Sequence, residues 1–182
     1  MILIALGANL PHPGLGPPPA AFAAALRLLE ERGFISAARS RLYHNTAIGP
    51  GDQPDYVNAA AALMGAHDPP RIMAALIAVE TALGRVRAGR WGPRTLDLDL
   101  IAVGPQVLPS RRRWRAVAKS PEADPRPRLV LPHPRAHQRA FVLAPLLDVA
   151  PRWRHPVLGG TPEQWLARLG REAKAFTVAP WP

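Results

Sequence analysis

A chain of 182 residues with 48% hydrophobic content is long enough for one domain with a proper core and short for two. It has no cysteine, which excludes disulfides, thiolate catalysis and Cys-ligated zinc, so any metal must be held by oxygen or histidine. The net charge of +10 invites a nucleic-acid reading, but +8 of it falls within residues 105–154 and the rest of the chain is close to neutral.

Ile2 to Leu6 is a short apolar run that ends at Gly7 and Asn9, the pattern of a buried strand entering a turn. No stretch of about 18 apolar residues follows, and the opening residues lack the basic start of a signal peptide, so a soluble, cytoplasmic protein is expected. Pro17 to Pro19 can start a helix whose apolar stripe is Phe22, Ala25, Leu26 and Leu29 and whose stop is Gly33. Ile35 to Tyr43 reads as a second strand. The Gly/Pro-rich stretch Asn45 to Tyr56 reads as loop, and Val57 to Met64 as a third strand despite its alanines. Asp68 then caps a helix with Pro69 at its first position and Ile72, Leu76, Val79 and Leu83 on one face, ending at Gly84.

Leu96 to Val103 is the fourth strand. Arg139 to Val149 is a mixed apolar segment interrupted by Pro145, and Thr161, Pro162 and Gln164 form a capping box for a last helix holding Trp165, Leu166 and Leu169. Residues 105–128, with Arg111 to Arg115 and Pro121, Pro125 and Pro127, read as a basic, poorly packed loop inserted into a single domain spanning 1–182. The resulting β-α-β-β-α-β order predicts an α+β fold: a ferredoxin-like antiparallel sheet covered by helices, with a C-terminal extension.

The chemistry concentrates between Gly84 and Leu100. Polar and apolar residues alternate from Thr95, so a strand would turn Asp97 and Asp99 to one face and Leu96, Leu98 and Leu100 to the other. Two carboxylates facing one way suit Mg²⁺, which takes one or two such groups together with substrate phosphates. Arg85, Arg87, Arg90 and Arg94 precede them with no intervening acid, in a loop broken by Gly84, Gly89, Gly92 and Pro93, and can grip the same phosphates. A solvated strand face is the plainer alternative for the acidic pair, but the convergence of groups favours a metal-phosphate site. Trp91 either anchors that loop to the core or covers a flat ligand. Tyr56 and Asn58 share a strand face and can stack on and hydrogen-bond a planar heterocycle, although composition alone favours an ordinary strand start. His133 and His137 have i,i+4 spacing, but Pro134 between them argues against a helical zinc pair. There is no P-loop or dinucleotide-binding motif.

Taken together, Gly49 to Ala60, Gly84 to Arg87 and Arg90 to Leu100 closely resemble the 6-hydroxymethyl-7,8-dihydropterin pyrophosphokinase family of folate biosynthesis. The resemblance runs from Leu6–Leu10 through Leu131–His133 and Arg139–Phe141 to about Pro151, and residues 105–128 have no clear counterpart in short members. It implies transfer of diphosphate from ATP to the pterin hydroxymethyl group with release of AMP, by a monomer or weak dimer. By the resemblance, Asp97 and Asp99 would hold two Mg²⁺ ions, and Arg85 and Arg94 would neutralise the phosphates. Arg87 and Trp91 would belong to a mobile loop. Tyr56 and Phe141 would sandwich the pterin, Asn58 would read its edge, and backbone near Thr46 and Ile48 would complete that readout. Asn9 would pack beside the pterin pocket, His133 and Arg139 would reach the ATP phosphates, and Glu80 would lie near the nucleotide. The rival expectation is an RNA-binding module using Trp114 within Arg111 to Arg115; no nucleic-acid motif supports it, and no nucleic-acid partner or membrane is expected.

Overall fold

The computed structural model describes residues 1–46, 53–66, 68–85, 92–120, 129–170 and 176–182. Strand β1 (Ile2–Ala8) is central: β4 (Tyr56–Met64) pairs with it on one side and β5 (Asp97–Val103) on the other, both antiparallel. Two short strands, β2 (Ile35–Arg39) and β3 (Leu42–Asn45), share the far edge of β4. A C-terminal strand β6 (Thr177–Ala179) pairs with β3, giving the order β5-β1-β4-β3-β6 with β2 also on β4.

The single strand expected over Ile35 to Tyr43 is therefore two. Ser40 separates them: its backbone bonds Ala60, and its buried hydroxyl accepts from the Ala60 N–H at 2.9 Å while donating to the Arg41 carbonyl at 2.6 Å. A side chain thus replaces a ladder partner, and the chain bends without leaving the Ala60 amide unsatisfied.

Alternation along the strands sorts residues to two faces. Ile2, Ile4, Leu6, Val57, Leu63, Leu98 and Leu100 pack with Phe22 and Leu29 of α1 (Pro18–Glu30) and with Ile72, Leu76 and Val79 of α2 (Pro69–Ala82). Burial of each such aliphatic or aromatic side chain contributes about 1.5–3 kcal/mol. Both helices begin with proline, as expected, although Asp68 occupies the α2 N-cap position without a side-chain hydrogen bond. The opposite face carries Leu3, Ala5, Ala60, Ala62, Ile101 and Ala102 beneath α4 (Ala140–Val149). The alanines of β4 are legible in this light, since both faces of that strand are covered and small side chains let the helices lie close. A register shift at Leu3/Ile4 leaves Ile101 as the extra residue of β5, which ends the strict alternation that holds from Asp97 to Leu100.

Two further expectations are corrected. Arg139 to Val149 is not merely mixed apolar chain: Ala140–Val149 is helical with Pro145 inside it, and the proline ring is buried. Residues 105–120 are not a poorly packed loop. Ser110 caps α3 (Arg111–Lys119) by accepting from the Arg113 N–H, and the helix buries Trp114 and Val117 on one face. Trp114 is only 1% exposed and offers no ring for stacking on RNA bases. The last helix, α5 (Pro162–Arg168), has the expected capping box between Thr161 and Gln164. Among the described residues no helix is long and apolar enough to cross a membrane.

Candidate active site

Asp97, Gly7 and Asn58 lie side by side on β5, β1 and β4, one cross-strand row on a single face of the sheet. This is the face that α4 covers further along, and Arg139 and Phe141 lie at the start of α4. Gly7 contributes no side chain, and a Cβ there would stand 3.5 Å from the Asn58 Oδ1. The result is a flat floor between an acidic, arginine-lined half and an amide-lined half.

On the acidic half, Asp97 is gripped by two arginines: Arg85 at 2.6 Å from Oδ1 and Arg94 at Oδ2. Asp99, two residues along the same face and 39% exposed at its side chain, has Arg139 at 3.8 Å. Glu80 of α2 is 3% exposed; it pairs with Arg85 and accepts from the Leu98 N–H at 2.7 Å, so it ties α2 to the outer edge of β5 and aims Arg85 at Asp97. Burial raises the Glu80 pKa, against the opposing pull of the Leu98 amide and Arg85. For Arg94 burial acts against the charged form, but the Asp97 carboxylate outweighs it and the guanidinium pKa ends above its usual value. Three cations around two carboxylates form a site that can exchange partners when polyanionic phosphates arrive.

The donor set fits Mg²⁺. Asp97 and Asp99 offer hard oxygens on one face, and no cluster of three or more His, Asp or Glu side chains capable of holding an ion occurs among the described residues. Magnesium is commonly held by one or two carboxylates, with substrate phosphates and water as its further ligands.

On the amide half, the Asn58 Nδ2 donates to the Asn45 Oδ1 at 2.6 Å and to the Tyr43 carbonyl at 3.4 Å, leaving its Oδ1 toward Gly7 as an acceptor. Asn45 in turn donates to the Thr46 carbonyl at 2.9 Å, and Thr46 itself is exposed. Tyr56 is half-buried near Arg94 and Asp97; burial raises its phenol pKa, with the Arg94 charge opposing and the Asp97 charge adding to the rise. The Arg139 guanidinium lies 5.7 Å from the Phe141 ring centroid. His133 is fastened to β5 through its N–H to the Ile101 carbonyl at 2.8 Å, and its Nδ1 accepts from the Arg135 N–H at 3.2 Å. Ile48, Arg87 and Trp91 lie outside the described residues.

Asn9 does more than pack beside a pocket. Buried at 3% exposure, it receives the Arg94 N–H on Oδ1 at 2.8 Å, and its Nδ2 donates to the Gln53 Oε1 and the Pro54 carbonyl at 3.2 and 3.3 Å. Its own N–H and that of Leu10 both donate to the Arg94 carbonyl at 3.0 Å. One side chain therefore locks the segment entering β5 to the segment entering β4.

A family model described as 7,8-dihydro-6-hydroxymethylpterin-pyrophosphokinase (HPPK) matches residues 3–151, most of the chain and all of the site. The chain belongs to the HPPK family. This places it among proteins named for the pyrophosphokinase step of folate synthesis. The 2-amino-4-hydroxy-6-hydroxymethyldihydropteridine pyrophosphokinase of Pseudomonas aeruginosa is 43% identical over 155 residues, covering 85% of this chain and 83% of that relative. The Synechocystis protein of the same name is 38% identical over 141 residues, 78% of this chain, and the match spans 63% of its length. Among solved structures, the HPPK-DHPS of Plasmodium falciparum aligns with a TM-score of 0.65 over 97% of this chain and 46% of that one, at 13% identity, a likeness of fold. Within this HPPK-family chain, sequence reasoning passed over Gly7, Asn45 and Gln53. Only the strand register brings out Gly7, and Asn45 matters through a contact 13 residues away in sequence.

Proposed function

We propose that the chain transfers diphosphate from ATP to the hydroxymethyl group of 6-hydroxymethyl-7,8-dihydropterin and releases AMP. The observation that carries this reading is the Asp97–Gly7–Asn58 row, which sets a carboxylate-arginine cluster suited to a metal triphosphate one strand away from an amide suited to a heterocycle edge. A hydroxymethyl group projecting from a pterin held against Asn58 would lie over Gly7 and face the phosphates at Asp97. In the reaction, the pterin hydroxyl oxygen forms a bond to the β-phosphorus, the bond from that phosphorus to the α,β-bridging oxygen breaks, AMP leaves with the electron pair, and the hydroxyl proton passes to solvent.

The chain's own groups position and neutralise. Asn58 Oδ1 accepts from a ring N–H, with Asn45 fixing the amide's orientation, and Tyr56 and Phe141 supply faces for the ring. Arg85, Arg94 and Arg139 turn from the carboxylates to the phosphates and offset charge that develops on the leaving α-phosphate. Glu80 lies near the nucleotide and aims Arg85. Two Mg²⁺ ions held by Asp97 and Asp99 with the ATP phosphates would neutralise charge there and make the pterin hydroxyl more acidic. His133 reaches phosphate and backbone near Thr46 reads the pterin, while the family resemblance alone assigns Ile48 to the pterin and Arg87 and Trp91 to the loop beside the site.

The same proposal covers the molecule's organisation. Treating β2 and β3 as one broken strand, the observed neighbours support the ferredoxin-like β-α-β-β-α-β order, with residues beyond it as a C-terminal extension and 105–128 as an insertion in one domain over 1–182. The enzyme would work in the cytoplasm as a monomer or weak dimer. Asp97→Asn keeps the side chain's shape and removes its charge, so AMP formation should fall roughly 10²-fold or more while circular dichroism is unchanged. Wild-type turnover in that variant would contradict the metal assignment.

A further inference from the structure

We infer that α3 is a brace for the phosphate-binding half of the site and that Trp114 is its positioning residue. This rests on the function proposed above and concerns residues to which that function assigns no role.

The stretch Leu131 to His133 leads directly into a proposed ATP-phosphate contact, and its backbone is fully engaged. Leu131 exchanges both backbone bonds with Leu108, at 2.9 and 3.1 Å. The His133 N–H reaches the Ile101 carbonyl on β5, and its carbonyl accepts from Ala136 at 3.2 Å. Pro132 has no N–H, and its buried carbonyl is satisfied by one side chain: the Trp114 Nε1–H at 2.6 Å. A helix outside the sheet's strand-helix core thus holds the residue immediately before His133.

The other end of α3 is fastened to the same segment. Arg135 donates from Nη2 to the Ser120 carbonyl, just past the helix, at 2.6 Å. The Trp114 ring meets the rings of His137 and His155 at centroid distances of 6.0 and 4.9 Å, and His137 also meets Trp165 of α5 at 5.3 Å. His137 lies in a short 3₁₀ turn (Ala136–Gln138), and Arg139 follows at once and faces Asp99. Trp114 therefore bears on both ends of the path from His133 to Arg139. Phe141, by contrast, belongs to α4, which is anchored independently by packing on the sheet. The brace should govern ATP more than pterin.

The test compares the wild-type chain with Trp114→Phe, which keeps the ring and loses the bond to Pro132, with Trp114→Ala, with Arg135→Gln at the opposite end of the brace, and with the exposed control Arg112→Ala. AMP formation is measured with each substrate varied in turn, and binding of Mg²⁺ with α,β-methylene-ATP by calorimetry. Loss of one hydrogen bond predicts that Trp114→Phe and Arg135→Gln raise the ATP KM and the analogue Kd by roughly three- to ten-fold, with the pterin KM and the control unmoved. Trp114→Ala should exceed Trp114→Phe. If Trp114→Ala fails to fold, the other two variants decide. An ATP KM unchanged from wild type in folded variants, or a parallel change in both KM values, overturns the brace. A wild-type chain that binds the analogue but forms no AMP from the pterin contradicts the proposed reaction and leaves the brace to be judged by calorimetry. One that binds no nucleotide overturns both.

Discussion

At the scale of single residues, the site depends on which groups the strand pattern can place and which only contacts can orient. The alternation of Asp97, Leu98, Asp99 and Leu100 is enough to set both carboxylates on one face, because strand geometry allows little else, and the burial pattern agrees. The orientation of Asn58 was not legible, since it depends on Asn45 and Tyr43 across the β3–β4 pair. The same holds for Asn9: its sequence context marks a turn, while its work is to join Arg94 to Gln53 and Pro54, more than 40 residues away on one side and more than 80 on the other. The amide-lined half makes a prediction of its own. Asn58→Ala removes the acceptor beside Gly7 and should raise the pterin KM by roughly ten-fold, as expected for an uncompensated buried hydrogen bond, without a matching change in the ATP KM. Steady-state kinetics with both substrates would check it, and equal effects on the two would mean that Asn58 supports the sheet instead of reading the ring.

At the scale of elements, α1, α2 and the capped α5 could be read from prolines, glycines and apolar periodicity, because those signals are local. The two helices missed, α3 and α4, each carry a residue type that masks helicity: four arginines in one and Pro145 in the other. In α3, Ser110 and the Trp114/Val117 spacing were the usable signal, and composition concealed it. In α4, the proline forgoes one backbone bond, which burial of its ring and neighbours offsets. The junction of α3 with α5 also has a pH signature. His155 is 2% exposed; burial, and then the nearby His137, lower its pKa from 6.5 to about 4, while its Nδ1 accepts from the Val157 and Leu158 amides at 3.2 Å. The unfolded chain binds this proton more readily than the folded one, so the contribution is intact above about 6.5 and is lost as pH falls toward 4. His137, lowered by burial and then by Arg135, acts in the same direction. Glu80, raised by burial, acts in the opposite direction above 4.5, and Asp148, whose burial is outweighed by its hydrogen bonds and charge contact with Arg41 and Tyr43, acts mainly at the acid end, around and below 3.8. Comparison with a variant therefore isolates the histidine. In thermal unfolding between pH 7.5 and 4.5, His155→Leu should start less stable and lose less stability on acidification than wild type; an identical slope would contradict the assignment.

At the scale of the whole molecule, the antiparallel sheet acts as a ruler. Its register spaces Asp97 from Asn58 by one intervening strand, and Gly7 on that strand places no side chain between them. Strands β1, β4 and β5 and helices α1 and α2 were readable from the sequence because their signals are local, whereas the β2/β3 break at Ser40 and the addition of β6 beside β3 depend on pairings between distant segments. The +10 charge bears little on the chemistry, for most of it lies outside the arginines that surround Asp97. Incubating the chain with ATP, Mg²⁺ and 6-hydroxymethyl-7,8-dihydropterin and following the nucleotide products tests the central claim most directly. The account predicts AMP, formed only when pterin and metal are both present and in step with pterin diphosphate. ADP in place of AMP, or no nucleotide turnover by the folded protein, would contradict it.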